Sequence, residues 1–317
     1  MPPIEELDAA ARIVYAAMPP TPQYAWPLLA RRAGCEVWVK HENHTPIGAF
    51  KVRGGVVYME RLKRERPQVK GVASATRGNH GQSIAFAASR AGVSATVVVP
   101  HGNSVEMNAA MRAFGAELLE RGHDFDAAKE AAIAIAAERG LEMVPSFNLD
   151  LVRGVASYSL ELLRAAPDLD TVYVPIGLGS GICGMIAARD ALRLKTNVVG
   201  VVATGAPAYA LSLAAGKVVT TNAADTFADG VAVRGPDQQA LDIIRAGVAR
   251  IVQVSEAEIG AAMRAYYEDT HQLVEGAGAC PLAALLQERE SMRGRKVGIV
   301  LSGGNIDRPL YTRIVGE

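Results

Sequence analysis

Residues 71–99 read GVASATRGNHGQSIAFAASRAGVSATVVV, and the class of fold follows from them. Their β-branched and small residues predict strands at Gly71–Ala75 and Ala95–Val99, and the alanine-rich run between predicts a helix at Gln82–Arg90. Gly92 comes just after that helix, where the left-handed backbone of a helix end favours glycine. The order strand, helix, strand predicts a parallel βαβ unit whose sheet is covered by helices.

The same alternation continues along the chain. It predicts a first group of elements, namely helix Val105–Phe114, strand Glu117–Leu119, helix Phe125–Arg139 and strand Glu142–Val144. It predicts a second group, namely helices Val155–Ala165, Ile182–Leu194, Ala208–Ala214, Glu256–Thr270 and Cys280–Glu290, and strands Thr171–Pro175, Val198–Val202, Arg250–Val254 and Lys296–Leu301. Gly216–Asp237 is irregular and predicts a loop facing a site. We expect two doubly wound, open-sheet α/β lobes with a crevice between them, where residues directly after strands contact the ligand.

The composition argues against several other classes of protein. The chain has 317 residues, half of them hydrophobic, and its 33 basic and 33 acidic residues balance, which argues against a nucleic-acid surface or a polybasic membrane anchor. Apolar stretches such as Ala131–Ala137 fall far short of the ~20 residues that span a bilayer, and MPPIEELDAA lacks the basic start of a signal peptide. Cys35, Cys183 and Cys280 form no C-x-x-C pair. We expect a cytoplasmic protein that binds neither nucleic acid nor membrane.

Four motifs follow predicted strands, and the first is HENHTPIGAFKVRGG at residues 41–55, after the apolar run Cys35–Val39. Its turn leads into a helix that starts near Phe50, which puts Lys51 in the first helical turn. The positive end of a helix disfavours a charged amine there and lowers its pKa, which suits a lysine that forms a Schiff base. The alternative is a solvated surface lysine beside Arg53.

The second motif is ASATRGNHGQS at residues 73–83, which joins a strand to a helix. Backbone N–H groups at such a helix start form an anion site, and Asn79 has an amide that can hydrogen-bond a ring hydroxyl or a carboxylate. The alternative is an ordinary turn in which Asn79 caps the helix.

The third motif is PIGLGSGICGM at residues 175–185, between a strand and an apolar helix. Gly177, Gly179 and Gly181 allow backbone amides to close on a phosphate at the helix N-terminus. The motif lacks the acidic partner of a dinucleotide fingerprint and the Gly-Lys-Ser/Thr of a P-loop, so it predicts a site for one small phosphate. A simple packing turn is the alternative.

The fourth motif is VLSGGNID at residues 300–307, after a strand near the end of the sequence. Ser302 is the first polar side chain beyond that strand, and its hydroxyl can hydrogen-bond a heteroaromatic nitrogen. By itself the motif indicates only a turn.

Taken together, in this order and spacing, the four motifs resemble those of the fold type II pyridoxal-phosphate (PLP) enzymes, which have a tryptophan synthase β-like architecture. Within that group the chain is most similar to the serine/threonine dehydratase family, which includes threonine dehydratase, serine racemase and phenylserine dehydratase. Ala228–Val233 (ADGVAV) and Glu275–Ala279 (EGAGA) extend the resemblance, which covers nearly the whole chain.

The resemblance implies a role for each motif. Lys51 would hold PLP through a Schiff base and act as the general base on the substrate, and Phe50 would lie beside the ring. Asn79 would hydrogen-bond the phenolic oxygen, and Ser302 the pyridine nitrogen. The phosphate would be bound by Gly177, Leu178, Gly179, Ser180 and Gly181, and the substrate carboxylate by Thr76, Arg77, Asn79 and His80.

The resemblance also implies an activity and an organisation. The activity is dehydration and deamination of a 3-hydroxy amino acid to a 2-oxo acid and ammonia, with racemisation, β-replacement or non-catalytic PLP binding as alternatives. Threonine, serine, threo-3-hydroxyaspartate, 3-phenylserine and a hydroxyectoine-derived amino acid remain open as substrates. The large PLP-binding domain would comprise residues 1–70 and 147–317, the small α/β domain residues 71–146, and the enzyme would be a homodimer.

The chain departs from the family pattern at three places. Arg77 replaces a serine that is the second acid/base of serine racemase, and a guanidinium is a poor base, so racemisation is disfavoured. We expect Arg77 to be a catalytic residue that binds a carboxylate through bidentate hydrogen bonds; the alternative is an arginine that points to solvent or pairs with a nearby acid. Val202 and Ala208 stand where metal-binding relatives have ligands, which predicts no metal site. Val152–Ser157 differs from the Gly-Gln-Gly-Thr of threonine dehydratases, which argues against threonine as the main substrate.

Overall fold

The computed structural model describes residues 2–316, which contain two β-sheets. The strands of this part of the chain are β1 (Gln23–Ala25), β2 (Glu36–His41), β3 (Gly71–Ala75), β4 (Ser94–Val99), β5 (Glu117–Glu120), β6 (Glu142–Met143), β7 (Thr171–Pro175), β8 (Asn197–Ala203), β9 (Arg250–Val254) and β10 (Lys296–Leu301). One sheet has the order β1-β2-β10-β7-β8-β9 and the other β5-β4-β3-β6. The edge strand β1 pairs antiparallel with β2, and the other pairings are parallel.

Helices are interleaved with these strands. They are α1 (Ile4–Tyr15), α2 (Pro27–Ala33), α3 (Lys51–Glu65), α4 (Asn79–Arg90), α5 (Val105–Ala113), α6 (Phe125–Arg139), α7 (Leu149–Ala165), α8 (Ser180–Ala191), α9 (Ala208–Ala215), α10 (Gln238–Gly247), α11 (Glu256–Thr270), α12 (Gly276–Gln287), α13 (Arg289–Met292) and α14 (Arg308–Val315). Successive residues of β10 show that both faces of the larger sheet are covered, because Ile299 and Leu301 belong to one hydrophobic core and Val300 to another.

The predicted fold class is therefore confirmed: the protein is an α/β protein with two open sheets. The larger sheet takes its strands from residues 23–41 and 171–301, and the smaller sheet from residues 71–143. The domain boundaries at residues 70/71 and 146/147 stay a prediction. Gly216–Asp237 contains no strand or α-helix, as the sequence indicated.

Several helices start earlier than their sequence patterns predicted. The helix α4 begins at Asn79 rather than Gln82, and α12 begins at Gly276 rather than Cys280. Glycine is a poor helix former, so propensity alone placed the start of α12 after the glycines. Packing explains the difference, because a Cβ on Gly278 would lie 2.8 Å from the carbonyl oxygen of Gly303.

A buried cluster of charged side chains joins β2, α3 and α7. The guanidinium of Arg53 is fully buried and contacts Glu42 at 2.7 Å and Glu161 at 2.6 Å. Lys40, which is also fully buried, donates to Glu161 at 2.5 Å, and the hydroxyl of Thr21 donates to Glu42 at 2.6 Å. Each charge in the cluster is paired and hydrogen-bonded, as buried ions require.

We predict that Arg53→Met strongly destabilises the protein. The change leaves Glu42 and Glu161 without their main counter-charge in the interior, which costs about 3–5 kcal/mol of unfolding free energy. Arg245→Met is the matched control, because Arg245 pairs with Asp242 on the surface, where an ion pair contributes about 1 kcal/mol or less. Chemical denaturation measures both, and equal losses would contradict this account of the cluster.

Candidate active site

The segments that follow β3, β7 and β10 meet at one cavity of about 1170 Å³. This arrangement is the one expected at the carboxyl ends of strands in open α/β sheets. The cavity is lined by every residue that the sequence proposed for the site: Phe50, Lys51, Thr76, Arg77, Asn79, His80, Gly177, Leu178, Gly179, Ser180, Gly181 and Ser302.

Lys51 is the first residue of α3, and its amine faces the start of α8. Its Nζ donates to Ser180 Oγ at 3.1 Å and lies 5.0 Å from the centre of the Phe50 ring. Burial lowers the pKa of Lys51 to about 8, and the negative charge of Glu275 opposes that shift. A lowered pKa leaves more of the amine neutral near physiological pH, which a nucleophile requires.

The turn before Lys51 is tied to the loop that carries Ser302. Phe50 N donates to Ser302 O at 3.0 Å, and Ala49 forms an antiparallel bridge with Gly303. Ser302 is buried in the cavity wall. Backbone hydrogen bonds therefore hold the lysine and the serine in register across the cavity.

The glycine-rich loop leads from β7 into α8. Gly179 has a φ of 100° and is the N-cap residue of α8, so the turn requires a residue that tolerates the left-handed region. A Cβ on Gly177 would lie 2.2 Å from Gly230 O, so only glycine fits. The loop is held from behind, since Tyr209 Oη donates to Leu178 O at 2.9 Å and Tyr158 Oη to Gly181 O at 3.1 Å. The first N–H groups of α8 lack helical partners and suit an anion.

Asn79 does not cap α4 with its side chain. Its Nδ2 donates to both carboxylate oxygens of Glu275 at 3.0 Å, and its Oδ1 accepts from Asn305 Nδ2 at 2.7 Å. Burial raises the pKa of Glu275 to about 7, against the hydrogen bonds from Asn79 and Asn305, which lower it.

Arg77 lines the cavity and pairs with Asp229, a nearby acid. Its Nη2 lies 3.0 Å from Asp229 Oδ1, with the two side chains 47% and 40% exposed. Burial raises the pKa of Asp229, and the charge of Arg77 opposes that rise. The guanidinium therefore has an acidic partner and remains open to the cavity.

The two other predicted substrate residues have different surroundings. Thr76 is buried, and its hydroxyl accepts from the backbone N–H groups of Gly78 at 3.0 Å and Gly81 at 3.2 Å, so it shapes the loop. His80 is buried beside the cavity, and its Nε2 has no hydrogen-bond partner in the described part of the chain. Burial and the charge of Lys51 lower the pKa of His80 to about 3, so its ring is neutral.

The sequence did not assign three cavity-lining residues that contact predicted site side chains: Asp229 pairs with Arg77, and Glu275 and Asn305 contact Asn79. All three lie in segments that the motifs already contained, namely ADGVAV, EGAGA and SGGN. Their spacing gave no chemical signal, because each one acts on a side chain from a distant segment.

The segment Val152–Ser157, by contrast, is part of α7 and packs on α3, where a Cβ on Gly154 would lie 2.2 Å from Arg53 O. The residues of this segment are not among those that line the cavity.

The chemistry of the site fits PLP. It offers a buried amine of lowered pKa, a glycine loop that a Cβ would fill and a helix N-terminus for a phosphate. His80 Nε2 is an unpartnered polar atom beside the same cavity. Such a set defines an enzyme that binds a phosphorylated carbonyl cofactor through a lysine.

Comparisons with known proteins agree with this class. The model of the family "Pyridoxal-phosphate dependent enzyme" matches residues 14–303. An L-threonine ammonia-lyase of Geobacter sulfurreducens is 40% identical over 279 residues, which are 88% of this chain and 69% of the relative. The L-threo-3-hydroxyaspartate ammonia-lyase of Saccharomyces cerevisiae is 31% identical over 310 residues, 98% of this chain and 94% of the relative. Maize serine racemase superposes with a TM-score of 0.92 at 27% identity, over 98% of this chain and 96% of that one.

The chain belongs to the fold type II PLP-dependent enzymes, in the serine/threonine dehydratase family. The family resemblance and the cofactor predicted from the four motifs are thereby confirmed.

Among residues 2–316, no group of three or more His, Cys, Asp or Glu side chains could hold a metal ion. No helix in that range is long and apolar enough to cross a membrane.

The lowered pKa of Lys51 predicts a pH-dependent stability of the cofactor-free protein. Between pH 8 and the ordinary pKa of 10.5, the unfolded chain binds more protons at Lys51 than the folded one, so stability from this group rises with pH. Cofactor-free Lys51→Met should therefore unfold at a higher temperature than wild type at pH 7. The advantage should shrink as the pH approaches 10.5, and calorimetry on both proteins measures it. A difference independent of pH would contradict the lowered pKa.

Proposed function

We propose that this protein converts a 3-hydroxy amino acid into a 2-oxo acid and ammonia, with Lys51 as the catalytic amine. The observation that carries the proposal is the buried Lys51 amine 3.1 Å from Ser180 Oγ, at the start of the glycine-loop helix. Relatives named for ammonia-lyase activity on threonine and on threo-3-hydroxyaspartate support the reaction class. Overall, one water leaves the substrate and one water hydrolyses the product enamine or imine, so the net products are the 2-oxo acid and ammonia.

The cofactor supplies an electron sink that makes the substrate's α proton acidic. Lys51 Nζ would hold the cofactor in the resting enzyme, and as a free amine it would accept the α proton of the substrate. Burial lowers the pKa of Lys51 to about 8, which keeps the amine close to the working range of a general base. Ser180 Oγ accepts a hydrogen bond from Nζ and fixes its direction.

The remaining assignments place one group against each part of the cofactor. Gly177, Leu178, Gly179, Ser180 and Gly181 would hold the phosphate at the positive end of α8. Phe50 would pack beside the ring, and the Asn79 amide would donate to its phenolic oxygen. Ser302 would face the ring nitrogen. A neutral hydroxyl would not stabilise a protonated ring nitrogen as a carboxylate does.

The substrate carboxylate would bind in the loop of Thr76, Arg77, Asn79 and His80. Of these, Arg77 has the permanent positive charge, and Asp229 orients it from 3.0 Å away. Thr76 uses its hydroxyl to shape the loop, and neutral His80 offers an unpartnered ring nitrogen. Arg77 therefore contributes most to carboxylate binding.

Racemisation is the second candidate, and the similarity to maize serine racemase favours it. Racemisation needs an acid/base on each face of the substrate, and a permanently protonated guanidinium at position 77 is a poor base. We therefore propose elimination as the main activity.

We further propose that the enzyme is a cytoplasmic homodimer, as the family resemblance implies.

A substrate panel tests the proposed reaction. Threonine, serine, threo-3-hydroxyaspartate and 3-phenylserine, as separate stereoisomers, are incubated with the PLP-loaded enzyme, and 2-oxo acid, ammonia and substrate chirality are measured. The proposal predicts equal amounts of 2-oxo acid and ammonia from at least one substrate and none from Lys51→Ala. Inverted chirality without 2-oxo acid would identify a racemase, and spectral change without product a PLP carrier.

Arg77 should determine catalytic efficiency with the best substrate of that panel. Arg77→Ser removes charge-assisted hydrogen bonds of about 1.5–3 kcal/mol each, so kcat/KM should fall about tenfold or more. Arg77→Lys keeps the charge without the bidentate geometry, so its kcat/KM should lie between that of wild type and that of Arg77→Ser. Arg245→Ser, at an exposed pair outside the cavity, is the control. Unchanged kcat/KM in both Arg77 variants would mean that Arg77 serves only its pair with Asp229.

We also expect turnover to be independent of divalent metal. Val202 and Ala208 are buried and have no carboxylate, although metal-binding relatives have ligands at these positions. The kcat of the enzyme with and without a chelator should agree within error. A large loss that magnesium or calcium restores would contradict this expectation.

A further inference from the structure

The side chains of Asn305, Asn79 and Glu275 form a continuous hydrogen-bonded chain along the cavity wall. Asn305 Nδ2 donates to Ile47 O at 2.8 Å and to Asn79 Oδ1 at 2.7 Å. Asn79 Nδ2 donates to Glu275 Oε1 and Oε2, both at 3.0 Å. Glu275 Oε2 also accepts from the backbone N–H of Asn305 at 3.2 Å.

The two ends of this chain determine which way the Asn79 amide faces. The carbonyl of Ile47 is an acceptor only, so it must receive an N–H group of Asn305. At the other end, Glu275 Oε2 already accepts from the backbone N–H of Asn305, and the Asn79 amide donates to the same carboxyl group. Asn305 therefore presents its NH₂ group to Asn79, which must present its oxygen in return. If the Asn79 amide were flipped, its NH₂ group would face the NH₂ group of Asn305, and its oxygen would face the carboxylate oxygens of Glu275. Neither contact would then be a hydrogen bond.

The carboxylate uses only one of the two N–H bonds of Asn79. Seen from Asn79 Nδ2, the angle between the two carboxylate oxygens is much smaller than the angle between the two N–H bonds of the amide. Only one N–H can therefore point at Glu275, and the second is left for another acceptor. Asn79 lines the cavity, so this second N–H is available to a molecule bound there.

The backbone packs closely against both ends of this hydrogen-bonded chain. A Cβ on Gly48 would lie 2.6 Å from Asn305 Oδ1, and a Cβ on Gly303 would lie 2.8 Å from Glu275 Oε1. Glu275 N donates to Gly303 O at 3.1 Å, which fixes the carboxylate-bearing residue to the same loop. The cluster is thus tightly packed on both sides.

We propose that Glu275 and Asn305 are positioning residues that hold the Asn79 amide with one N–H directed at the ring oxygen of PLP. The inference rests on the proposed function, because it takes Asn79 as the residue that contacts this oxygen. Glu275 and Asn305 act through Asn79 rather than on the cofactor directly.

The test is a set of single and double variants read out by cofactor binding. Cofactor-free Glu275→Gln, Asn305→Ala and Asn79→Ala proteins are titrated with PLP, and the dissociation constant and the visible absorbance band are recorded. In Glu275→Gln, the new NH₂ group opposes one of the two N–H donors that the carboxylate accepted. We expect each single change to weaken PLP binding about tenfold and to shift the band.

Double variants separate positioning from a direct or merely structural role. In the Asn79→Ala background, Glu275→Gln and Asn305→Ala should cause no further weakening and no further band shift. Glu288→Gln is the matched control, since this carboxylate follows the last turn of α12 and pairs with Arg250 outside the cavity. It should leave PLP binding unchanged, and the unfolding temperature of each cofactor-free variant verifies its fold.

Additive losses in the Asn79→Ala background, or wild-type binding and spectrum in folded Glu275→Gln, would overturn the proposal. Failure of the proposed function is distinguishable, because the wild-type enzyme would then bind PLP and release no 2-oxo acid from any substrate of the panel. The positioning result is independent of that outcome, since it is read from binding and absorbance.

Discussion

The buried guanidinium of Arg53 is the constraint on which the geometry of the site depends. Its charge can be satisfied only if Glu42, after β2, and Glu161, on α7, meet in the interior. Arg53 lies two residues after Lys51, so the same contacts fix the start of α3 against α7. The helix α7 in turn packs closely on α8, where a Cβ on Gly184 would lie 3.0 Å from Ala156 N. Through this path the lysine faces the helix that begins with the glycine loop.

Burial and charge attraction have opposite effects on the pKa values of Lys51 and Glu275. Burial favours the neutral form of both groups and moves their pKa values toward each other, to about 8 and about 7. The mutual attraction of the two charges opposes both shifts. A lysine that can be neutral near physiological pH is what Schiff-base chemistry requires, and the fold provides it by burial rather than by a neighbouring positive residue.

The sequence predicted the elements with strong patterns and the residues that follow strands. The strand Thr171–Pro175 and the helix Glu256–Thr270 have the predicted bounds, because a run of β-branched and aromatic residues marks the strand and a capping serine marks the start of the helix. The helices α10 and α14 were not predicted, and both are short, with 10 and 8 residues. Glu275 and Asn305 were also missed as site residues, because their partner Asn79 is 196 and 226 positions away, and no local pattern reports such a contact.

The most direct test of this account is the location of the bound cofactor. The PLP-loaded enzyme is reduced with borohydride, digested with trypsin and analysed by mass spectrometry. Trypsin does not cleave after a modified lysine, so the account predicts a labelled peptide spanning His41–Arg53 with the cofactor on Lys51. A label on any other lysine, or none on this peptide, would contradict the assignment of Lys51 as the catalytic amine.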